Sequence, residues 1–161
     1  MKTNELKKVV IALDYDPTAK KVAETGYLLA KNLGAEVVLL HVIADPVYYS
    51  SPEYSPIMGL TGEMGTNPMQ LDNIEGLLEV SRNFLEKLKH HLGDETINIV
   101  VKEGDFAETI LKSAREMHAD IIVMGSHSKK WLEKIVMGSV TENVLNETLI
   151  PMFIVPTKKR S

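Results

Sequence analysis

Hydrophobic residues change their spacing repeatedly along the chain, and each change marks an element. VVIAL at 9–13 is a short, continuous apolar run rich in β-branched residues, the pattern of a strand buried on both faces. After Asp14 and Tyr15 the period becomes helical, with Ala19, Val22, Ala23, Gly26, Leu29, Ala30 and Leu33 on one stripe. Asp16-Pro17 is a favourable helix start and Gly34 a natural stop. EVVLLHVI at 36–43 is a second buried strand. Leu77, Ser81, Phe84, Leu85, Leu88 and Leu92 then trace a long amphipathic helix ending near Gly93. INIVVK at 97–102 is a third strand. A capping-box-like start at Asp105 to Glu108 opens a helix carrying Phe106, Ile110, Leu111, Ala114 and Met117. DIIVM at 120–124 is a fourth strand, a helix follows from about 140 to 149, and PMFIV at 151–155 closes the series.

Strand and helix alternate throughout, which predicts an α/β fold: a single-domain, open, parallel five-stranded sheet with helices on both faces, Rossmann-like in layout. Sheets of this kind bind ligands beyond the carboxyl ends of their strands. Three places are thereby singled out: Asp14 after the first strand, His41 to Ile43 at the end of the second, and Gly125 onward after the fourth. The segment from about 45 to 70 has neither period. It holds Pro46, Pro52, Pro56 and Pro68 with Tyr48, Tyr49 and Tyr54, and a connection of that length is expected to be a flexible insertion or lid.

The 161 residues fit one domain, spanning 1–161. With 18 Lys plus Arg against 22 Asp plus Glu the net charge is −4, so the overall field favours neither nucleic acid nor an anionic membrane, and any anion must be bound locally. The absence of cysteine removes disulfides, thiolate metal sites and cysteine nucleophiles, and fits a cytoplasmic setting. The apolar runs are strand-sized, so neither a signal peptide nor a membrane span is expected.

The chemistry concentrates in IVMGSHSKKWLEKIVMGSV at 122–140, where the string IVMGS occurs twice, offset by thirteen residues. The first copy is a strand exit at which Gly125 is expected to turn the backbone. The second ends in Gly138 and Ser139, and Ser139-Val140-Thr141-Glu142 has the form of a capping box that places Ser139 at the N-cap of a helix. A helix N-terminus beside a glycine offers unpaired N–H groups and a favourable dipole to an anion, with phosphate the expected guest. Each feature also has a plain structural meaning: Gly125 and Ser139 as punctuation, Asp14 as a turn cap, Ser126 as a solvent-facing turn residue. His127 can equally be an exposed loop histidine, Lys129 and Lys130 a solvated pair. His41 reads as a structural strand-end residue rather than a metal ligand, and His90-His91 as complements to a helix dipole. No metal site is predicted. The sequence contains neither G-x-x-x-x-G-K-[ST] nor a strand-following G-x-G-x-x-G, and no evident catalytic set.

Gly125, Ser128 and Gly138-Ser139 at this spacing resemble the G-2x-G-9x-G(S/T) signature of the nucleotide-binding branch of the universal stress protein family. Ser128 stands where that signature has its second glycine. IALDYD, LLHVI, MGSHS and MGSVTENVL resemble the family's first strand, second strand, phosphate loop and following helix. The resemblance implies an adenine nucleotide alpha hydrolase-like fold that binds ATP, or AMP or ADP, with Mg²⁺ as an accompanying ion and without rapid turnover, in stress response or regulation. It implies that Ala12, Asp14 and Val42 surround the adenine and ribose, that Met124 and Gly125 line the base and ribose, that His127 and Ser128 hold the phosphate chain, and that Gly138, Ser139 and Val140 close on the terminal phosphates. It further implies a homodimer through the last strand, Met152 to Val155. A slow ATPase or phosphotransferase and a nucleotide-free dimeric scaffold are the alternatives.

Overall fold

The computed structural model of the protein describes residues 4–44, 74–126 and 137–157. The insertion expected at about 45–70, and His127, Ser128, Lys129 and Lys130, lie outside the described residues. The elements run β1 (Lys8–Ala12), α1 (Ala19–Leu33), β2 (Glu36–Ile43), α2 (Ile74–Leu92), β3 (Asn98–Glu103), α3 (Phe106–Glu116), β4 (Ile121–Gly125), α4 (Ser139–Glu147) and β5 (Met152–Val155). The strands form one five-stranded sheet in the order β3-β2-β1-β4-β5, and every pairing is parallel. The chain therefore builds outward from β1 to one edge, then crosses back to add β4 and β5 on the other side.

Period-2 alternation divides the strand side chains between two cores. Val9, Ile11, Leu13, Val37, Leu39, Ile43 and Val123 pack with Val22 and Ala23 of α1 and Leu77, Val80, Phe84 and Leu85 of α2. On the opposite face Val10, Ala12, Val38, Leu40, Val42, Ile122 and Met124 pack with Ala107, Ile110, Leu111 and Ala114 of α3 and Val144 of α4. Because both faces of the central strands are covered, their sequences are near-continuous apolar runs.

Helix boundaries follow local hydrogen bonds. Asp16 does not cap α1 directly: its carboxylate accepts from the backbone N–H and hydroxyl of Thr18, its carbonyl accepts from Ala19, and this turn delays the helix to Ala19. At the other end Gly34 takes the left-handed conformation (φ 65°) and its N–H caps Ala30 and Lys31. Asp105 is the N-cap of α3, accepting from the Glu108 N–H at 3.1 Å as the capping pattern predicts. A polar bridge joins α1 to the turn after α2: Tyr27 donates to Asp94 at 2.9 Å, and Lys31 pairs with the same carboxylate at 3.0 Å. Hydrogen bonds from Thr96, then Lys31, hold the Asp94 carboxyl below the usual carboxylate range.

Two features bring α1 and β2 onto the strand ends. Gly26 of α1 lies so close to the sheet that an added Cβ would meet Ile11 Cδ1 at 2.8 Å and Val123 Cγ1 at 3.1 Å, contacts to β1 and β4 together. His41, 2 % exposed, sits at a core-facing position of β2, against Tyr15 with ring centroids 4.4 Å apart and near Phe84 at 6.1 Å. Its Nδ1 bonds the Leu13 carbonyl at 2.7 Å. A carbonyl only accepts, so Nδ1 carries the proton and Nε2, in the neutral ring, is a bare acceptor. Burial pushes the His41 pKa down, opposed by the Leu13 bond and the charge of Asp14.

Gly26→Val forces a branched side chain into the α1–sheet contact and is expected to destabilise the fold by about 1–3 kcal/mol, read as a lower urea midpoint. The second expectation concerns pH. His41 resists protonation when folded and accepts it when unfolded, so its contribution is intact above its unfolded value of about 6.5 and is lost as the pH falls below it. Urea unfolding across that range should show wild type losing up to about 1.4 kcal/mol more per pH unit than His41→Asn. Equal slopes for the two proteins would contradict it.

Candidate functional site

The strand order reverses between β1 and β4, the place where an open α/β sheet leaves a crevice at its carboxyl edge. The register runs Val9↔Ile121, Val10↔Ile122, Ile11↔Val123, so Ala12 and Met124 face each other one step further on. Leu40 is the partner of Ala12 on the other side, and Leu13 continues past the strand by donating its N–H to the Leu40 carbonyl at 2.8 Å. Asp14 is then the first polar residue beyond β1. Its Oδ1 accepts the Asp16 N–H at 3.2 Å, a short turn that orients the carboxylate at the strand exit.

Met124 and Gly125 end β4. Gly125 is not turned sharply, contrary to the sequence expectation: it still pairs with Val155 of β5, and the positive-φ glycines among the described residues are Gly34, Gly93 and Gly104. Its missing side chain has a packing cause, since a Cβ there would meet Val22 Cγ2 at 2.9 Å and Thr157 Cγ2 at 3.0 Å. The chain leaves the sheet one residue later. Ser126 is buried rather than facing solvent: its N–H donates to the Val155 carbonyl at 2.9 Å, and its Oγ accepts the Thr157 N–H at 3.0 Å.

Helix α4 is fastened directly to this strand end. The Gly138 N–H donates to the Ser126 carbonyl at 2.8 Å, and the Thr141 hydroxyl to the Gly125 carbonyl at 2.9 Å. Gly138, not Ser139, is the N-cap, with φ −58° and ψ 149°, and its carbonyl accepts the Glu142 N–H at 2.9 Å. The capping box is displaced by one residue because the bond from Gly138 to Ser126 sets where the helix begins. Among the described residues no side chain caps α4. Its first-turn N–H groups, those of Ser139, Val140 and Thr141, have no acceptor one turn earlier in the helix, and the helix dipole leaves partial positive charge there.

The sheet therefore brings Ala12, Asp14, Met124 and Gly125 together at the β1–β4 seam, with Gly138, Ser139 and Val140 joined to it by two hydrogen bonds. Val42 lies near the end of β2, paired with Lys102, two residues beyond the strand partner of Ala12. The side chains of Ala12, Val42 and Met124 are buried in the core on the α3–α4 side, so these residues can offer a ligand backbone groups and an apolar floor rather than polar side chains. Ser139 is exposed and Val140 half-buried. Of the other histidines, His91 pairs with Glu24 of α1 at 2.7 Å. Among the described residues no group of three or more His, Asp or Glu is placed to hold a metal ion.

Residues that the sequence does not single out hold the strand exits in place. Thr141 was visible only as an interior letter of a capping box, yet its hydroxyl anchors α4. Thr157 carries no motif and Tyr15 is only an unassigned letter of IALDYD; one closes on Ser126 and the other, fully buried, pairs its hydroxyl with Ser81 of α2. Among the described residues no helix is long and apolar enough to cross a membrane.

Comparison with known proteins agrees with this architecture. Residues 5–156 match the universal stress protein family. The chain is 33 % identical over 156 residues to the universal stress protein MJ0577 of Methanocaldococcus jannaschii, covering 94 % of this chain and 96 % of that one. The solved structure of MJ0577 superposes with a TM-score of 0.68 at 29 % identity, over 98 % of this chain and 100 % of that one. At 17 % identity, where the likeness is one of fold, a universal stress protein solved in complex with cAMP superposes with a TM-score of 0.62 over 96 % and 100 % of the two chains. One from Archaeoglobus fulgidus solved in complex with dAMP does so with 0.58 over 94 % and 98 %. Sheet order, covered faces and a match along nearly the whole chain agree: the protein belongs to the universal stress protein family.

Proposed function

We propose that the protein binds ATP or a related adenine nucleotide in the crevice between β1 and β4, as a regulatory or stress-response protein without rapid turnover. The observation that carries this reading is the pairing of a carboxylate with a helix N-terminus across one strand-order reversal. Asp14 stands at the exit of β1, and the first turn of α4, with no side-chain cap among the described residues, is bonded to the exit of β4. A nucleotide has the matching polarity. Its ribose hydroxyls and adenine amino group donate to a carboxylate, and its phosphates accept from backbone N–H groups in a favourable dipole. Two fold relatives solved with adenine nucleotides, cAMP and dAMP, support the ligand class.

In this reading the backbone at Val42 meets the adenine edge, with Ala12 and Met124 beneath the base as apolar floor. Gly125 offers the ribose its backbone at the strand end, and the N–H groups of Ser139 and Val140 take the outer phosphates beside Gly138. His127 and Ser128 are assigned to the phosphate chain on the signature alone, and Mg²⁺ to the phosphates as the counterion of the bound nucleotide. The backbone does the binding, so the site needs no lysine of the P-loop kind. With Asp14 as its one assigned acid, it positions a nucleotide rather than activating an attacking group.

The family's dimer is proposed here through β5. That strand lies at the sheet edge, with Phe153 39 % exposed and Met152 and Ile154 half-buried, an apolar edge suited to pairing with a second copy.

Isothermal titration with ATP, ADP and AMP should show saturable binding. Gly138→Asp should weaken ATP by about tenfold or more, because it sets a carboxylate against the phosphates. Aspartate is a good N-cap, so the helix should be retained and the loss is one of affinity. Absence of adenine-nucleotide binding at millimolar concentration would sink the proposal. Sedimentation at micromolar concentration should give a dimeric mass that Phe153→Lys shifts towards monomer; a monomeric wild type would contradict the β5 interface.

A further inference from the structure

We propose that His41 is the positioning residue for Asp14: a neutral imidazole buried in the core holds the exit of β1 and so sets where the Asp14 carboxylate stands. The proposal rests on the nucleotide reading of the crevice for its functional consequence, but not for its geometry.

Leu13, the residue before Asp14, has both backbone polar groups held by β2. Its N–H donates to the Leu40 carbonyl at 2.8 Å, and its carbonyl accepts from His41 Nδ1 at 2.7 Å. Tyr15, the residue after Asp14, is 2 % exposed; its ring packs on the His41 and Phe84 rings at 4.4 and 5.3 Å, and its hydroxyl pairs with Ser81. Asp14 is thus the one residue between two that contact the same imidazole, and both neighbours are fixed by groups outside their own strand.

Packing alone does not account for a histidine here. Val37, Leu39 and Ile43 occupy the same face of β2, and a leucine would continue that stripe. Histidine leaves its Nε2 buried with no hydrogen-bond partner among the described residues, a cost that an apolar side chain would avoid. What the imidazole supplies in return is a donor aimed at the Leu13 carbonyl, one residue from the proposed ligand contact. The arrangement needs the neutral ring, since a charged one would bury a second N–H with no acceptor among the described residues. Burial holds it neutral against the pull of Asp14. Among the described residues, the groups packed on the ring are Tyr15 from the β1 exit and Phe84 from α2, Ser81 of α2 holds the Tyr15 hydroxyl, and Asp14 is the charge that acts on the ring.

The test uses the full chain and two replacements. His41→Leu fills the space without a donor, while His41→Asn keeps an N–H at the place of Nδ1. Imidazole ¹⁵N spectra of wild type at neutral pH should show His41 as the neutral, Nδ1-protonated tautomer. The Asp14 and Asp16 amide resonances should move in His41→Leu and return towards wild type in His41→Asn. ATP affinity should fall by about tenfold in His41→Leu and recover to within about threefold in His41→Asn, the loss expected when a buried carbonyl loses its donor. Combined with Asp14→Asn, His41→Leu should cost little more affinity, because both changes remove the same contact. An Nε2-protonated or charged His41, an equal loss in Leu and Asn variants, or a loss that adds fully to that of Asp14→Asn would overturn the proposal. If His41→Leu does not fold, the wild-type tautomer and the His41→Asn affinity decide it. If wild type binds no nucleotide, the reading of the crevice fails, while the tautomer and the amide shifts still judge the role of His41.

Discussion

Helix α1 can lie against two strands at once because Gly26 presents no side chain to Ile11 of β1 or Val123 of β4. One turn earlier, Val22 reaches the space that Gly125 leaves at the end of β4. These contacts join the two halves of the sheet at the point where strand order reverses, on the face shared by α1 and α2. With α1 seated there, the exits of β1 and β4 are fixed relative to each other. Interiors pack too tightly for a methyl group to be absorbed at such a place without displacing something.

Polar groups then fix what the apolar contacts bring near. The carbonyls of Gly125 and Ser126 at the end of β4 are taken by Thr141 and Gly138, and the same two bonds set the starting point of α4. Ser126 and Thr157 close the gap between β4 and the chain beyond β5. His41 does for the β1 exit what Thr141 does for β4. Each bond satisfies a buried backbone group that would otherwise be costly, and each also places a residue of the proposed site.

Much of this was legible in the sequence. β2 occupies 36–43 as its apolar run predicts, and Asp105 caps α3 where the capping pattern placed it. Short continuous runs separated by helical periods specify strand, helix and parallel order together, because a strand covered on both faces admits no polar alternation. What sequence reasoning misplaced were boundaries decided by a partner distant in the chain. Ser139 has the letters of an N-cap, but the Ser126 carbonyl captures the Gly138 N–H and moves the cap by one residue. Asp16 has the letters of a cap for α1 and instead closes a turn on Thr18. Gly125 has the position of a turn glycine; its cause lies in Val22 and Thr157, more than thirty residues away in the second case and about a hundred in the first. Periodicity reports which face a residue occupies, and it carries no information about which carbonyl will be left without a partner.

The account centres on one crevice in which a carboxylate and a helix N-terminus are held at fixed positions by the packing of α1 and the bonds to α4. A crystal structure of the protein grown with ATP tests this most directly. The account predicts the nucleotide above the β1–β4 seam, its base and ribose within hydrogen-bond distance of Asp14 and the backbone of Val42, and its phosphates against the N–H groups of Ser139 and Val140. ATP bound elsewhere on the protein, or an empty seam in crystals grown with saturating ATP, would contradict it.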